Sequence, residues 1–246
     1  MYFCTKLDYN GMKYAIIAAG EGSRLAAEGI TAPKPLVKVN GERLIDRLIR
    51  IFIQNDAEEI VVICNDMTTL VASHLVELQR DGLEGRPIPL RFVVKSTPSS
   101  MHSFFEISKY LSDGPFVMTT VDTIFREDEF ADFVKSFCRS GVQTFPVTDF
   151  IDDEKPLYVG TDEAMDITGF YDENRGCRYI SAGIYGLLPE AIDTLLGCME
   201  RGESRMRNFQ RALIADGLKI KAFPLSKVLD IDHAGDILKA EQFLRS

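Results

Sequence analysis

Apolar residues recur in short runs through the first 150 positions of the chain, and the segments between the runs show helical spacing. Runs of about five apolar residues predict strands that are buried on both faces of a sheet. The intervening segments place apolar residues every three or four positions, as on one face of an amphipathic helix; in 44–54 they fall at 44, 45, 48, 49 and 52. The predicted strands are 14–19, 60–64, 90–94, 116–120 and 143–147, and the predicted helices are 44–54, 69–80, 101–111 and 128–138.

After residue 150 the pattern changes to successive strand-like runs separated by polar turns. Pro189 suits the first turn of a helix, Gly217 suits the end of another, and Asp232 is a candidate N-cap for the last. The alternation in the first part predicts an α/β fold, with a parallel sheet covered by helices on both faces. No repeat or linker interrupts the pattern, so we expect one domain over 13–246 after an N-terminal extension at 1–12. The later elements are predicted as strands 157–160, 165–170, 179–187 and 218–224 and helices 189–199, 208–215 and 234–244.

The composition narrows the class of protein. The chain has 246 residues, of which 46% are hydrophobic, and a formal net charge of −9. Such an acidic chain is a poor candidate for general nucleic-acid binding, which needs a basic face. No apolar run approaches the roughly 20 residues that span a bilayer, and the start of the chain lacks the basic and apolar stretches of a secretory signal. We therefore expect a cytoplasmic protein with neither a membrane nor a nucleic acid as partner.

The cysteines and histidines favour neither a disulfide framework nor a metal site. Five cysteines are an odd number, and no Cys-x-x-Cys pair occurs among them. The three histidines are widely scattered along the chain. These residues are Cys4, Cys64, Cys138, Cys177, Cys198, His74, His102 and His233.

A glycine-rich turn follows the first predicted strand, with the sequence AAGEGSRL at 18–25 and PKPL at 33–36. Glycines let backbone N–H groups approach an anion closely, and successive N–H groups form a concave site for phosphate oxygens. Arg24 and Lys34 add full positive charge. A glycine turn alone also occurs in α/β proteins for steric reasons, but Pro33 and Pro35 restrict the backbone around Lys34, which a merely solvated lysine does not need. The combination predicts a triphosphate site.

Residues 15–41 resemble the signature of the nucleoside-triphosphate transferase family, the sugar-phosphate nucleotidyltransferases and their relatives. The two motifs stand in the family's order and at its spacing, and a short strand ending in Gly41 follows them. Weaker agreement extends through Asp122, the AGIY sequence at 182–185 and the DID sequence at 230–232. The resemblance implies a Rossmann-like three-layer sandwich with a mostly parallel mixed sheet. In it, 13–150 form the nucleotide-binding half and 151–246 the acceptor-binding half.

The resemblance also implies a reaction. A phosphate oxygen of a small phosphorylated acceptor attacks the α-phosphorus of a nucleoside triphosphate, and pyrophosphate leaves. An anionic phosphate needs no general base, so catalysis consists of positioning and charge neutralisation, helped by Mg²⁺. On this basis Arg24 and Lys34 are the catalytic residues. The implied nucleotide-binding residues are Ala18, Ala19, Gly20, Glu21, Gly22, Ser23, Ser99 and Ser100.

Two aspartates, Asp122 and Asp230, are the implied magnesium ligands. Asp122 follows a buried strand, and ligands of open α/β sheets bind outside the carboxyl ends of strands. The family usually has a glycine before this aspartate, where this chain has Val121; a simple turn aspartate is the alternative. Asp232 shares one side of an extended backbone with Asp230, so it is either a second carboxylate near the metal or a helix cap. Ser99 and Ser100 are likewise either base contacts or helix caps.

The acceptor and the nucleobase stay open at this stage. Gly183, in the AGIY sequence, is the implied acceptor contact. The family places Glu-Lys-Pro shortly before AGIY, but here that sequence comes earlier, so Lys155 does not carry over. A basic turn with Arg205, Arg207 and Asn208 either touches an anionic acceptor or starts a solvated helix. A sugar 1-phosphate, a modified sugar, a polyol phosphate or an aminoalcohol phosphate would each fit, and a homo-oligomer is compatible with the sequence.

Two other classes of protein compete with a transferase. A non-catalytic nucleotide sensor on the same fold would not need both Asp122 and Asp230. An NAD-dependent oxidoreductase would need Gly-x-Gly-x-x-Gly, but Leu25 stands at the last position and prolines follow where a helix should continue. A P-loop NTPase is excluded, because no Gly-Lys-Ser/Thr closes the glycine turn.

Overall fold

The computed structural model describes residues 11–152 and 154–245. Most of the predicted extension at 1–12, including Cys4, lies outside the described residues, and Met12 already opens the first strand. The strands are β1 (Met12–Ala18), β2 (Lys38–Val39), β3 (Glu42–Arg43), β4 (Ala57–Cys64), β5 (Leu90–Val94), β6 (Phe116–Thr120), β7 (Thr123–Ile124), β8 (Gln143–Thr148), β9 (Tyr158–Thr161), β10 (Ile167–Tyr171), β11 (Tyr179–Ser181), β12 (Ile184–Leu187), β13 (Ile220–Leu225) and β14 (Leu229–Asp230). The helices are α1 (Ser23–Ala27), α2 (Leu44–Gln54), α3 (Thr69–Asp81), α4 (Ser100–Ser108), α5 (Glu127–Ser140), α6 (Ala191–Glu200), α7 (Met206–Ala215) and α8 (Ala234–Arg245), with a 3₁₀ turn at Lys34–Leu36. Among these described helices, none has both the length and the apolar character needed to cross a bilayer.

Ten strands form one mixed sheet in the order β10-β9-β11-β8-β12-β6-β1-β4-β5, with β13 paired to β8. The strands β5, β4, β1 and β6 are parallel neighbours, so the carboxyl ends of β1, β4 and β6 meet at one end of the sheet. The strands β12, β8, β11, β9 and β10 continue the sheet in antiparallel pairs, and β13 runs parallel to β8. The parallel centre comes from the first half of the chain, and the antiparallel extension comes mainly from the second.

Side chains alternate across β1 and divide the core into two layers. Tyr14 and Ile16 pack in a cluster with α2, α3, α5 and α8, whereas Ala15 and Ile17 pack in a cluster with α4, α6 and α7. All four side chains are buried. Because helices cover both faces of the strand, every position of β1 must be apolar, which explains the unbroken run in the sequence. The expected fold class, a three-layer α/β sandwich with a mixed sheet, is confirmed.

Most predicted elements are confirmed with shifted ends, but the predicted strand 179–187 is wrong. It forms two strands, β11 and β12, with Ala182 and Gly183 between them. Gly183 has a φ of 69°, in the left-handed region that glycine enters without steric cost. The short strand expected before Gly41 forms β2, but β3 and the two strands of the β7–β14 ribbon were not predicted, because they are too short to leave a pattern in the sequence.

The β7–β14 ribbon brings two distant segments together beside the carboxyl end of β6. Thr123 pairs with Asp230, and the Ile231 N–H donates to the Asp122 carbonyl at 3.1 Å. The backbones of Asp122 and Asp230 are therefore one residue out of register across the ribbon, and both residues lie at the same end of the sheet.

Candidate active site

The turn after β1 depends on one glycine and is held by one asparagine. Gly22 has a φ of 65°, and a Cβ atom added to it would lie 3.3 Å from Cβ of Lys34. Gly20 faces open space, which leaves room for a ligand beside the backbone. Asn65, directly after β4, donates from Nδ2 to the carbonyls of Ala19 and Gly20 at 3.3 and 3.1 Å. Asn65 was not predicted, although a polar residue at the end of a buried strand was an available signal.

Lys34 lies at the centre of the site, on the 3₁₀ turn. Its Nζ donates to Oδ2 of Asp122 and, at 2.8 Å, to Oδ1 of Asp232. The side chain is 11% exposed, and this burial disfavours the charged form. The two carboxylates outweigh the burial and hold the pKa of Lys34 above its ordinary value. Lys34 is therefore a charged ammonium at neutral pH, as phosphate binding requires.

Asp232 bridges two cationic residues, Arg24 of the glycine turn and Lys34 of the PKPL sequence. Its Oδ2 lies 3.1 Å from Nη1 of Arg24, while its Oδ1 accepts from Lys34. The alternative that Asp232 caps α8 is wrong, because the backbone N–H groups of residues 232–234 donate to Asp236 and Glu28. Asp236 and Glu28 thus accept these backbone N–H groups at the start of α8, and the Asp232 carboxylate pairs with Lys34 and Arg24 instead.

Asp230 lies two residues earlier, and its exposed carboxylate faces the same opening. Burial and, next, the negative charge of Asp230 raise the pKa of the Tyr185 phenol above its ordinary value. His233 contacts Glu28 through Nδ1 at 2.6 Å, and that carboxylate raises the pKa of the imidazole above its ordinary value. The histidine thus ties the end of α1 to the start of α8.

Three cavities surround this cluster, and we name them by their linings. The hydroxyl cavity, of about 300 Å³, is lined by the glycine turn, Lys34 and Asp122 and by Thr97, Ser99, Ser100, Ser103 and Thr120. The carboxylate cavity, of about 460 Å³, is lined by Arg24, Glu154, Lys155, Asp230, Asp232 and His233 among others. The arginine cavity, of about 890 Å³, is lined by Lys155, Asp172, Arg205, Arg207, Asn208 and Arg211 among others. The contact between Lys34 and Asp232 connects the first two cavities.

Six of the eight residues predicted to bind the nucleotide line the hydroxyl cavity, and two do not. Ala18 is buried in β1, and Ser23 starts α1, so neither lines the hydroxyl cavity. Ser99 has both of its predicted features: it lines the cavity, and its Oγ accepts the His102 N–H at 3.5 Å as the cap of α4. The predicted residues in the lining are Ala19, Gly20, Glu21, Gly22, Ser99 and Ser100.

Gly183, the predicted acceptor contact, lies beside the ribbon. Its carbonyl accepts from Oγ1 of Thr119 at 3.3 Å, and a Cβ atom added to it would lie 3.6 Å from Oγ1 of Thr123. Thr123 follows Asp122 in the chain, so Gly183 is close to the aspartates but lies outside the lining of the three cavities.

The donor set at the ribbon fits Mg²⁺. The carboxylates of Asp122 and Asp232 converge on one cationic atom, Nζ of Lys34, and Asp230 pairs with Thr123, the residue after Asp122. Within the described residues, no group of three or more His, Cys, Asp or Glu side chains is placed to hold a metal. Mg²⁺ commonly binds one or two carboxylates and completes its shell with substrate phosphates and water. Paired carboxylates are therefore ligands of the type that a magnesium–triphosphate complex takes from a protein.

The competing dinucleotide site does not fit this geometry. The helix after the glycine turn has only five residues, Ser23–Ala27, and the chain then turns toward the 3₁₀ segment that carries Lys34. A dinucleotide fold instead places the pyrophosphate at the start of a full helix that packs on the sheet.

Comparisons with known proteins agree with this architecture. The family model of the nucleotidyl transferases matches residues 13–246. The bifunctional protein GlmU of Methanococcus maripaludis is 25% identical over 238 residues, which cover 93% of this chain and 53% of that protein, so the chain spans about half the length of this relative. A putative glucose-1-phosphate thymidylyltransferase from Bacillus anthracis has the same fold, with a TM-score of 0.82 and 17% identity over 96% of each chain. The inositol-1-phosphate CTP transferase from T. maritima gives 0.73 and 17% over 97% of this chain and 98% of that one.

Proposed function

Because the chain belongs to the nucleotidyl transferase family, we propose that it transfers a nucleoside monophosphate from a nucleoside triphosphate to a small phosphorylated acceptor and releases pyrophosphate. The observation that carries the proposal is the convergence of Arg24, Lys34 and Asp122 with Asp232 at the carboxyl end of the parallel sheet. Two cations and two carboxylates are the groups that a magnesium-bound triphosphate requires. The free cysteines of the described chain fit a reducing cytoplasm, where the reaction would find its nucleotide.

The proposed reaction requires that the two substrates are positioned in line, and it does not require a general base. An oxygen of the acceptor phosphate forms a bond to the α-phosphorus, the bond from that phosphorus to the bridging oxygen of the β-phosphate breaks, and pyrophosphate leaves with the electron pair. Arg24 and Lys34 would neutralise the phosphate oxygens, and the N–H groups of the glycine turn would hold them in line. Mg²⁺, when bound, supplies further charge neutralisation at the phosphates, with Asp122 and Asp230 as its protein ligands.

The hydroxyl cavity is the proposed place of the nucleoside. It opens directly beside Gly20 and Gly22, and its hydroxyl groups both donate and accept hydrogen bonds, as the edge of a nucleobase requires. The similar proteins include a putative thymidylyltransferase for glucose 1-phosphate and a CTP transferase for inositol 1-phosphate. We therefore expect a small organic phosphate as acceptor here.

Ligand-dependent stability tests the proposal first. The protein is heated with Mg²⁺ and ATP, GTP, CTP, UTP or dTTP in turn, since a ligand that binds the native state raises the melting temperature. The nucleotide with the largest shift is then incubated with a panel of acceptor phosphates, and pyrophosphate is measured. Stabilisation by a nucleotide without pyrophosphate release would support the sensor alternative instead.

A pair of arginine variants controls for general damage. We expect Arg24→Ala to lose most of the pyrophosphate release while keeping the wild-type melting temperature, because its side chain is 55% exposed and contacts only Asp232 in the described structure. The matched control is Arg80→Ala, an exposed arginine on α3 that pairs with the adjacent Asp81. A wild-type rate in Arg24→Ala, or an equal loss in both variants, would overturn the proposed role.

A further inference from the structure

The arginine cavity is continuous with the proposed active site. It shares Glu154 and Lys155 with the carboxylate cavity. On its other side the backbone N–H of Arg205 donates to Oγ of Ser99, which lines the hydroxyl cavity, at 3.4 Å. The arginine cavity therefore adjoins both of the other cavities.

The charges of this cavity are unevenly matched. Arg207 and Arg211 both bind the carboxylate of Asp172, with Nη1 to Oδ1 at 2.5 Å and Nη2 to Oδ2 at 2.7 Å. The Asp172 carboxylate thus forms ion pairs with two guanidinium groups, and these hold the pKa of Asp172 below its ordinary value. With Lys155, Glu154 and Glu173 included, the lining has four cationic side chains and three carboxylates, so one positive charge remains in excess, although the whole chain has a net charge of −9.

Arg205 adds a third guanidinium group to the same wall. No hydrogen bond or ion pair joins its side chain to another described residue, and it is exposed at the mouth of the cavity. Its backbone has a φ of 74°, which is uncommon for a residue with a long side chain and costs free energy. Strained positions of this kind cluster at ligand sites, where the orientation of one side chain matters.

We propose that the arginine cavity binds a second anionic group of the acceptor, at a distance from the phosphate that reacts. The acceptor would then be an organic phosphate that also carries a carboxylate or a further phosphate. The planar guanidinium group matches both anions in two-point hydrogen bonds, and Arg205 and Arg207 are placed to form them. This inference rests on the proposed function and names the class of its acceptor.

Matched acceptor pairs test the inference, because the two members of each pair differ by one carboxylate. The pairs are glucuronic acid 1-phosphate with glucose 1-phosphate, 3-phosphoglycerate with glycerol 3-phosphate, and phosphoserine with phosphoethanolamine. Pyrophosphate release is measured with the full chain, Mg²⁺ and the preferred nucleotide. We expect at least one carboxylate-bearing member to exceed its partner about tenfold in kcat/KM.

Variants of Arg205 and Arg207 show whether this preference for a carboxylate-bearing acceptor comes from the arginine cavity. Arg205→Gln and Arg207→Gln should each lower the preference about tenfold through the KM of the anionic acceptor, with less change in kcat and in the KM of the nucleotide. Arg205→Lys should restore part of the preference, because it restores the charge. The matched control, Arg80→Gln, removes an exposed arginine elsewhere and should leave the ratio unchanged.

The outcomes separate the two proposals. Equal or faster release with the uncharged partners, or a ratio that Arg205→Gln and Arg207→Gln leave unmoved, would overturn the inference and leave the transferase intact. No pyrophosphate from any nucleotide with any of the six acceptors would overturn the proposed function, and the inference with it.

Discussion

Two charged clusters lie at neighbouring cavities and differ in how their charges are paired. We call the residues around Lys34 the matched cluster and those around Asp172 the unmatched cluster. Around Lys34, each cation contacts a carboxylate: Lys34 contacts Asp122 and Asp232, and Arg24 contacts Asp232. Around Asp172, two arginines share one carboxylate, and Arg205 has no ionic partner in the described chain. A triphosphate can reach the first cluster only if the carboxylates give up their cations, whereas an anion can bind the second directly.

This difference predicts how the two substrates bind. At the first cluster, a cation must replace Lys34 at Asp122 while the phosphates take over Lys34 and Arg24. Mg²⁺ and the triphosphate together satisfy all of these groups, and either one alone leaves buried charge unmatched. We therefore expect nucleotide and metal to bind as a unit, and the acceptor to need no such exchange at the arginine cavity.

The largest expected effect is on turnover at the matched cluster. Asp122→Asn should lower kcat at least about a hundredfold, because it removes a proposed metal ligand, whose charge would stabilise the transition state by several kcal/mol. Asp81→Asn, which changes an exposed ion pair on α3, is the control and should retain the wild-type rate. A comparable rate in both variants would mean that Asp122 does not hold the metal.

The second largest effect is expected on the stability of the protein without bound nucleotide. Lys34→Ala leaves Asp122 and Asp232 facing each other without their shared cation, and we expect the free energy of unfolding to fall by about 1–3 kcal/mol. Mg²⁺ alone should restore much of the melting temperature in this variant and have little effect on the wild type. Equal magnesium shifts in the two proteins would contradict the exchange of charges at this cluster.

A smaller effect is expected at the unmatched cluster. Asp172→Asn frees Arg207 and Arg211 from their carboxylate, so kcat/KM for a carboxylate-bearing acceptor should rise about threefold, while its uncharged partner should change little. The comparison uses the acceptor pair that the wild type uses best. A similar fall for both members would indicate that Asp172 itself binds the acceptor.

The smallest effect is expected on stability, at a third charged cluster in which one arginine forms ion pairs with two carboxylates. Arg50 binds Glu42 and Glu127, and its hydrogen bond to Glu127 holds the pKa of that carboxyl below its ordinary value of 4.5. Such a group stabilises the fold above pH 4.5, and this contribution is lost as the pH falls through the lowered pKa. Arg50→Gln should therefore unfold more easily by about 0.5–1 kcal/mol at pH 7, and the difference from the wild type should shrink below pH 4.5.

Thermal unfolding across pH 3–8 checks this last prediction, with turnover measured in parallel. Turnover should stay at the wild-type level, since Arg50 lies away from the three cavities of the proposed site. A stability difference that persists undiminished at pH 3 would show that packing, rather than the ion pairs, accounts for the role of Arg50.

The matched cluster could be predicted largely from the sequence, because its parts lie in short motifs. The glycine turn, the proline-flanked Lys34 and the aspartate after β6 each have a local signal. The position of Asp232 could not be predicted, since the choice between capping and ion pairing depends on Asp236 and Glu28. Glu28 is 206 residues away from the helix start to which it binds.

The unmatched cluster could not be predicted from a motif, because its members come from separate elements. Asp172 follows β10, and the arginines lie on and before α7, which packs on β10. The basic turn near residue 205 was visible, but its relation to Asp172 depends on the antiparallel half of the sheet. The same half contained the wrong strand prediction, where the apolar pattern continues through Gly183 although the backbone changes direction there.

The ribbon between β7 and β14 has a consequence for the newly synthesised chain. Lys34 and its partner Asp232 are 198 residues apart, so the ribosome makes Asp232 long after Lys34. A nascent chain can fold its parallel strands and already contain the glycine turn, yet it lacks the second carboxylate that Lys34 contacts. Nucleotide would therefore find a complete site only after the segment with Asp232 has left the ribosome and β14 has paired with β7.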